Sequence, residues 1–186
     1  MLSPNELKKG DAIVLNNYPC EVLETNRVFK GRGHSTLQAK IKNLITGAVT
    51  SETFHPSDSF EEAEIKRFEA KFLYSHREEF FFCHKNDPGK RFSLRKEQIE
   101  SEAKFLKSNQ IMEAIIFKDE IINISLPIKI SFKVIEAPPG VQGNRSQPGT
   151  KLVVLENKKK LAVPLFIKEG DVVEVNTQTG QYVRRV

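Results

Sequence analysis

The chain has no tryptophan, only two cysteines among 186 residues, and no apolar run long enough to cross a bilayer. Each scarcity excludes a class. Two cysteines, Cys20 and Cys83, cannot build the disulfide framework of a small secreted domain. With no signal peptide or lipidation motif visible either, the expectation is a reduced, cytoplasmic protein with no membrane partner. Cys83 is followed by His84, but adjacent strand residues face opposite ways, and no second Cys/His pair stands at ligand spacing. No metal is expected. The histidines His34, His55, His76 and His84 are scattered, no nucleophile stands at a base's spacing, and no phosphate-binding glycine loop occurs outside residues 30–35. An enzyme, or a cofactor, is therefore not expected.

Charge and β-patterning are plentiful. Lysine and arginine number 29 against 24 acidic residues, a net charge of +5, which favours a polyanionic partner. The charge is uneven: residues 1–64 hold seven basic and nine acidic side chains, 65–127 twelve and ten, and 128–186 ten and five. Short alternating segments predict strands at 12–15, 20–29, 35–44, 49–54, 71–75, 79–84, 92–93, 111–117, 120–126, 130–136, 152–155, 161–164, 172–176 and 182–185. Turn residues separate them at Asn16-Asn17, Thr46-Gly47, Asp87-Pro88-Gly89, Lys118-Asp119 and Thr179-Gly180. Ser3-Pro4-Asn5-Glu6 reads as a capping box with one helical turn ended by Gly10, and Leu94 to Lys104, capped by Ser93, as a second helix. Many short strands mean an all-β chain of small barrels or sandwiches. The acidic segment Asp58 to Glu64 and Pro127 suggest units of 1–64, 65–127 and 128–186.

One segment carries chemistry. Lys30-Gly31-Arg32-Gly33-His34 falls at the expected tip of a long hairpin, where two glycines allow a tight turn that pushes the Arg32 guanidinium outward. From Arg27 to Lys42 there are five cations, Arg27, Lys30, Arg32, Lys40 and Lys42, and no acid. The residues alone leave a solvated loop open as the alternative.

Further residues decide the matter. The ending Val163-Pro164-Leu165-Phe166-Ile167-Lys168-Glu169-Gly170-Asp171, continuing through Val172-Val173-Glu174-Val175-Asn176 to Thr179-Gly180-Gln181-Tyr182-Val183-Arg184-Arg185-Val186, closely resembles that of the bacterial translation elongation factor P family. Ala137-Pro138-Pro139-Gly140-Val141-Gln142-Gly143 resembles the family's third-domain loop. Lys42-Asn43-Leu44-Ile45-Thr46-Gly47, with Phe54 and Ser57-Asp58, resembles its first domain. The resemblance implies three small barrels in an L that imitates tRNA: an SH3-like, KOW-type barrel followed by two OB-folds. It also implies a monomer that binds the 70S ribosome between the peptidyl and exit sites and relieves stalling at consecutive prolines. Arg32 would then reach the P-site peptidyl-tRNA, flanked by Lys30, Gly31, Gly33 and His34. Gly143, Asn144 and Arg145 would lie near the E-site mRNA codon, with Lys40, Lys42, Lys151, Arg184 and Arg185 as RNA-backbone contacts.

Three departures from the family pattern matter. Many members carry a modified lysine at the tip, and another branch an arginine that receives a rhamnose, so Arg32 leaves open both a bare guanidinium and an arginine-modifying glycosyltransferase as partner. Its Gly-Arg-Gly setting also resembles the elongation-factor-P-like paralogue, which keeps a different stall preference open. Asn144-Arg145 stands where an aspartate and a small residue are frequent, exchanging repulsion from mRNA for attraction. Lys158-Lys159-Lys160 replaces a glycine and reads either as a solvated turn or as an RNA contact. The remaining rival, a free-standing OB-type RNA-binding module, needs exposed aromatics on a barrel face. Phe80, Phe81 and Phe82 are candidates, but three successive strand residues cannot share one face.

Overall fold

Short strands separated by turns account for most of the regular structure. A computed structural model describes residues 1–30, 34–139 and 149–186, and among these there is no α-helix. The first sheet contains β1 (Ala12–Leu15), β2 (Tyr18–Lys30), β3 (His34–Asn43), β4 (Val49–Phe54) and β5 (Glu61–Glu62), ordered β4-β3-β2-β1-β5. The second holds β6 (Ile65–His76), β7 (Glu79–His84), β8 (Asp87–Arg95), β9 (Ile111–Phe117) and β10 (Glu120–Ser125), ordered β10-β9-β6-β7-β8. The third holds β11 (Lys129–Glu136), β12 (Thr150–Leu155), β13 (Lys160–Pro164), β14 (Val172–Asn176) and β15 (Tyr182–Arg185), ordered β13-β12-β11-β14-β15. All pairings are antiparallel.

The second and third sheets share one strand order, read in opposite directions, and β13 comes up against β15. That is the five-stranded Greek-key arrangement of an OB-fold. The all-β architecture of an SH3-like sheet and two OB-folds is thus the one observed.

Turn chemistry accounts for several connections. Asn16 and Asn17 (φ 51 and 68) and Lys118 and Asp119 (φ 51 and 62) each place two successive residues in the left-handed region. This is the type I′ geometry whose twist matches two flanking strands. Elsewhere local signals lose to tertiary pairing. Asp87-Pro88-Gly89, expected as a turn, lies inside β8, and the reversal occurs one step earlier at Lys85-Asn86. The helix expected over Leu94 to Lys104 is absent. Leu94 is buried opposite Phe80 as the end of β8, and the segment then runs through turns to a single 3-10 turn at Ala103–Phe105. Burying Leu94 and the fully enclosed Ile99 outweighs helix propensity, which is worth only tenths of a kcal/mol per residue. At the start, the Glu6 carboxylate accepts hydrogen bonds from Ser3 N (2.8 Å) and Ser3 Oγ (2.7 Å), but Pro4–Glu6 form a turn with no helix following.

Each sheet wraps its own core, around Ile13, Val22 and Ile41 in the first, Phe72, Phe82 and Ile124 in the second, and Phe132, Val153 and Val173 in the third. A fourth apolar cluster joins the first two sheets: Leu44 and Ala63 meet Ile115, Phe117 and Ile122. Burying those four large side chains contributes on the order of 6 kcal/mol before ordering costs. Within this seam Asn123, 2% exposed, donates Nδ2–H bonds to the Leu44 and Ile45 carbonyls (3.1 and 3.2 Å). The second and third sheets are clasped by Lys107, whose Nζ donates to Ser131 O (2.6 Å), pairs with Glu156 (3.1 Å) and sits over the Phe132 ring. Phe105 packs against the third core, and Thr177 Oγ1 donates to Pro127 O (2.8 Å).

Candidate nucleic-acid interface

The β2–β3 hairpin pairs from Cys20↔Asn43 out to Lys30↔His34. Its sheet neighbours stop earlier. β4 leaves β3 at Leu37↔Phe54, and β1 leaves β2 at Ala12↔Glu21. Residues 28–30 and 34–36 therefore form a two-stranded ribbon without sheet neighbours among the described residues, extending about 10 Å at ~3.3 Å per residue. Its root is held where Arg27 Nη2 donates to Asn5 O (2.7 Å). Gly31, Arg32 and Gly33 lie outside the described residues, as do the side chains of Lys30 and His34, whose backbones pair at the ribbon's end.

The register revises the reading of an acid-free hairpin. Glu24 stands opposite Lys40, and Glu21 opposite Lys42 while also pairing with Arg67 (3.1 Å). Lys40 is exposed and Lys42 half-buried, and neither is in an ion pair among the described residues, but each shares its rung with a carboxylate. Farther out no acid shares a rung with a cation: Arg27 stands opposite Leu37, and the Lys30 backbone pairs with that of His34. There the ribbon also carries Phe29, 80% exposed one pair short of the end, opposite Ser35. Nothing local distinguishes Phe29 from a core phenylalanine. Its exposure follows from where β4 ends.

In the third sheet the expected RNA-backbone cations have internal partners. Arg184 stands opposite Glu174 and donates through Nε (3.3 Å) and Nη2 (3.2 Å) to that buried carboxylate, which Lys129 approaches at 3.5 Å. Arg185 pairs with Asp171 (3.7 Å) and lies over the Phe166 ring. Lys151 Nζ donates to Pro138 O (2.9 Å), tying together the stems from which residues 140–148 depart. Gly143, Asn144 and Arg145 lie outside the described residues. Lys158, Lys159 and Lys160 are exposed at the β12–β13 connection, Lys158 with φ 63, and none is in an ion pair among the described residues. They are the more available cations of this sheet.

Phe80 and Phe82 turn into the second core, whereas Phe81 lies on the opposite face, stacked on Tyr74. Among the described residues no group of three His, Cys, Asp or Glu side chains could hold a metal ion, and no helix is long and apolar enough to cross a membrane. Burial, and then the Glu52 charge, push the buried Cys20 thiol up, which keeps it unreactive.

Comparison with known proteins adds an independent line. A family model described as the elongation factor P KOW-like domain matches residues 3–60, and one described as elongation factor P, C-terminal, matches residues 130–185. Curated relatives named elongation factor P from Carboxydothermus hydrogenoformans and Moorella thermoacetica are 34% and 36% identical, each covering all of this chain and all of the relative. A solved structure of translation initiation factor 5A from Methanococcus jannaschii superposes with a TM-score of 0.47 and 16% identity, over 67% of this chain and 92% of that one.

Proposed function

This chain belongs to the elongation factor P family, a family of translation elongation factors, and we propose that it binds the 70S ribosome between the peptidyl and exit sites and speeds peptide-bond formation at consecutive prolines. The observation that supports this reading is the free ribbon, whose last described pair, Lys30↔His34, brackets Arg32 in the sequence. Proline is a slow acceptor because a constrained secondary amine must attack from a poorly aligned geometry. Holding the reactants in register lowers the barrier without any acid, base or nucleophile. A guanidinium offers five donors in a fixed fork, suited to the phosphates and sugars of the peptidyl-tRNA end. The factor assists the ribosome's own catalysis and performs none itself.

Units of 1–64, 65–127 and 128–186 divide the work. The first reaches the peptidyl-tRNA, the second spaces it, and the third places Gly143, Asn144 and Arg145 near the E-site codon. The protein acts as a cytoplasmic monomer. In its host Arg32 is glycosylated by an arginine-specific transferase, which lengthens its reach. An intact mass equal to the bare chain in protein from the native organism would refute that modification. Co-sedimentation with 70S ribosomes over a salt series tests the binding, and reporters with different stall motifs separate the factor from its paralogue. Wild-type chain that stays in the supernatant at low salt would refute the reading.

A further inference from the structure

The outer face of the second sheet carries an arrangement that the hairpin function does not use. Because Phe82 is buried in the core, its neighbour Phe81 on β7 faces outward, and a register shift after the buried Phe72 on β6 sets Tyr74, not Leu73, opposite Phe81. Three strands therefore present aligned rungs. The middle rung is Tyr74, Phe81 and Ser93 across β6, β7 and β8. Tyr74 and Phe81 stack with ring centroids 4.8 Å apart and planes 19° from parallel, and Tyr74 is 50% exposed. Ser93 is too small to cover the far side of Phe81. On the other side, β9 joins β6 only as far as Lys71↔Ile111, so Tyr74 has no neighbouring strand residue there.

Cations stand on both flanking rungs. One holds Lys71 and Arg91 on either side of the buried Cys83, and the other runs His76, Glu79 and Arg95, so that a carboxylate shares the rung with Arg95. None of the three cations is in an ion pair among the described residues, and the Lys71–Arg91 rung, with no acid, has the most charge available to a ligand. Adjacent same-face rungs stand about 7 Å apart. That puts each cation within side-chain reach of anything resting on the aromatic pair. Lysine is depleted from the cores of protein–protein interfaces, whereas an exposed stacked ring framed by lysine and arginine is the composition of single-strand nucleic-acid platforms. β7 and β8 are the second and third strands of this OB-fold, the part of the fold that binds oligonucleotides elsewhere.

We propose that the outer face of β6–β8 binds single-stranded RNA, stacking an unpaired base on the Tyr74–Phe81 pair while Lys71, Arg91 and Arg95 hold the adjoining phosphates. The site is separate from the hairpin and rests on register and ring geometry, not on the proposed role of Arg32. The test is fluorescence anisotropy of a labelled adenosine dodecamer titrated with the full chain. Tyr74→Ala and Phe81→Ala should each weaken binding about tenfold. Tyr74→Phe, which keeps the ring, should stay within about twofold of wild type. Lys71→Gln with Arg91→Gln should weaken binding and flatten its salt dependence. Arg32→Ala should leave the dodecamer affinity unchanged, which keeps this result readable whatever the hairpin does. Unchanged thermal unfolding of the alanine variants excludes misfolding as the cause of a loss. The proposal is overturned if wild-type chain fails to bind the dodecamer, if both alanine variants bind like wild type, or if Arg32→Ala abolishes the binding.

Discussion

Asn123→Asp isolates one atom's contribution to the rigidity on which hairpin positioning depends. The replacement keeps shape and volume but exchanges the Nδ2 donor for an acceptor facing the Leu44 and Ile45 carbonyls. Two buried hydrogen bonds are lost at roughly 1 kcal/mol each, and the stranded carbonyls add a desolvation cost, for a total of about 3 kcal/mol. For a chain of this length that lowers the unfolding midpoint by roughly 6–12 °C. The loss should depend on pH in a definite direction. A carboxylate buried against two carbonyl oxygens has its folded pKa raised above the unfolded value. Its penalty is therefore smallest below the ordinary aspartate pKa of about 3.9 and grows as pH rises towards neutrality. Asn123→Ala, with no charge to titrate, should lose a similar amount with no such slope. Thermal unfolding of the three proteins at acidic and neutral pH is the assay. Equal midpoints for wild type and Asn123→Asp at neutral pH would refute the claim that this side chain secures the seam.

Other perturbations separate the remaining features. Phe29→Ala should reduce relief of proline stalling severalfold while changing stability by less than about 0.5 kcal/mol, since its ring is 80% exposed; a drop in unfolding midpoint without loss of activity would contradict this. Replacing Lys158, Lys159 and Lys160 together by glutamine should flatten the salt dependence of ribosome binding, whereas Arg184→Gln should mainly lower stability by stripping a partner from buried Glu174. Salt titrations paired with unfolding curves distinguish the two. The Glu6 carboxyl should titrate below its ordinary value, held down first by the Ser3 backbone N–H and then by the Ser3 hydroxyl. Its contribution is present above the ordinary value and fades as pH falls through the lowered one, and an NMR titration giving an ordinary value would exclude it.

Strands that are short β-branched or aromatic segments bounded by turn residues, such as Ala12–Leu15, Val49–Phe54, Glu79–His84 and Ile111–Phe117, coincide with the ranges expected from sequence. The failures share a cause in long-range pairing. β6 begins at Ile65, six residues before the expected start, because Lys66, Arg67 and Glu69 are polar residues held extended by β9. β5 is two glutamates on a sheet edge, with no apolar signal to read. The hairpin itself was legible, because the alternation of Leu37, Ala39 and Ile41 and the glycines at 31 and 33 are local signals, while Gly31, Arg32 and Gly33 lie outside the described residues. The exposure of Phe29 was not legible, since it depends on the end of a strand more than twenty residues away in sequence. The Glu174 partner of Arg184, a candidate RNA-backbone contact, was hidden for the same reason: the two meet only through the β14–β15 register.

The central claim is that Arg32, delivered by the ribbon, speeds peptide-bond formation to proline. The direct measurement is the rate of tripeptide formation on purified ribosomes programmed with consecutive prolines, followed by rapid mixing with no factor, wild-type chain or Arg32→Ala. The account predicts a clear acceleration by wild type and a return to the factor-free rate with Arg32→Ala, even at concentrations where co-sedimentation shows the variant bound. Equal acceleration by the two proteins would contradict it.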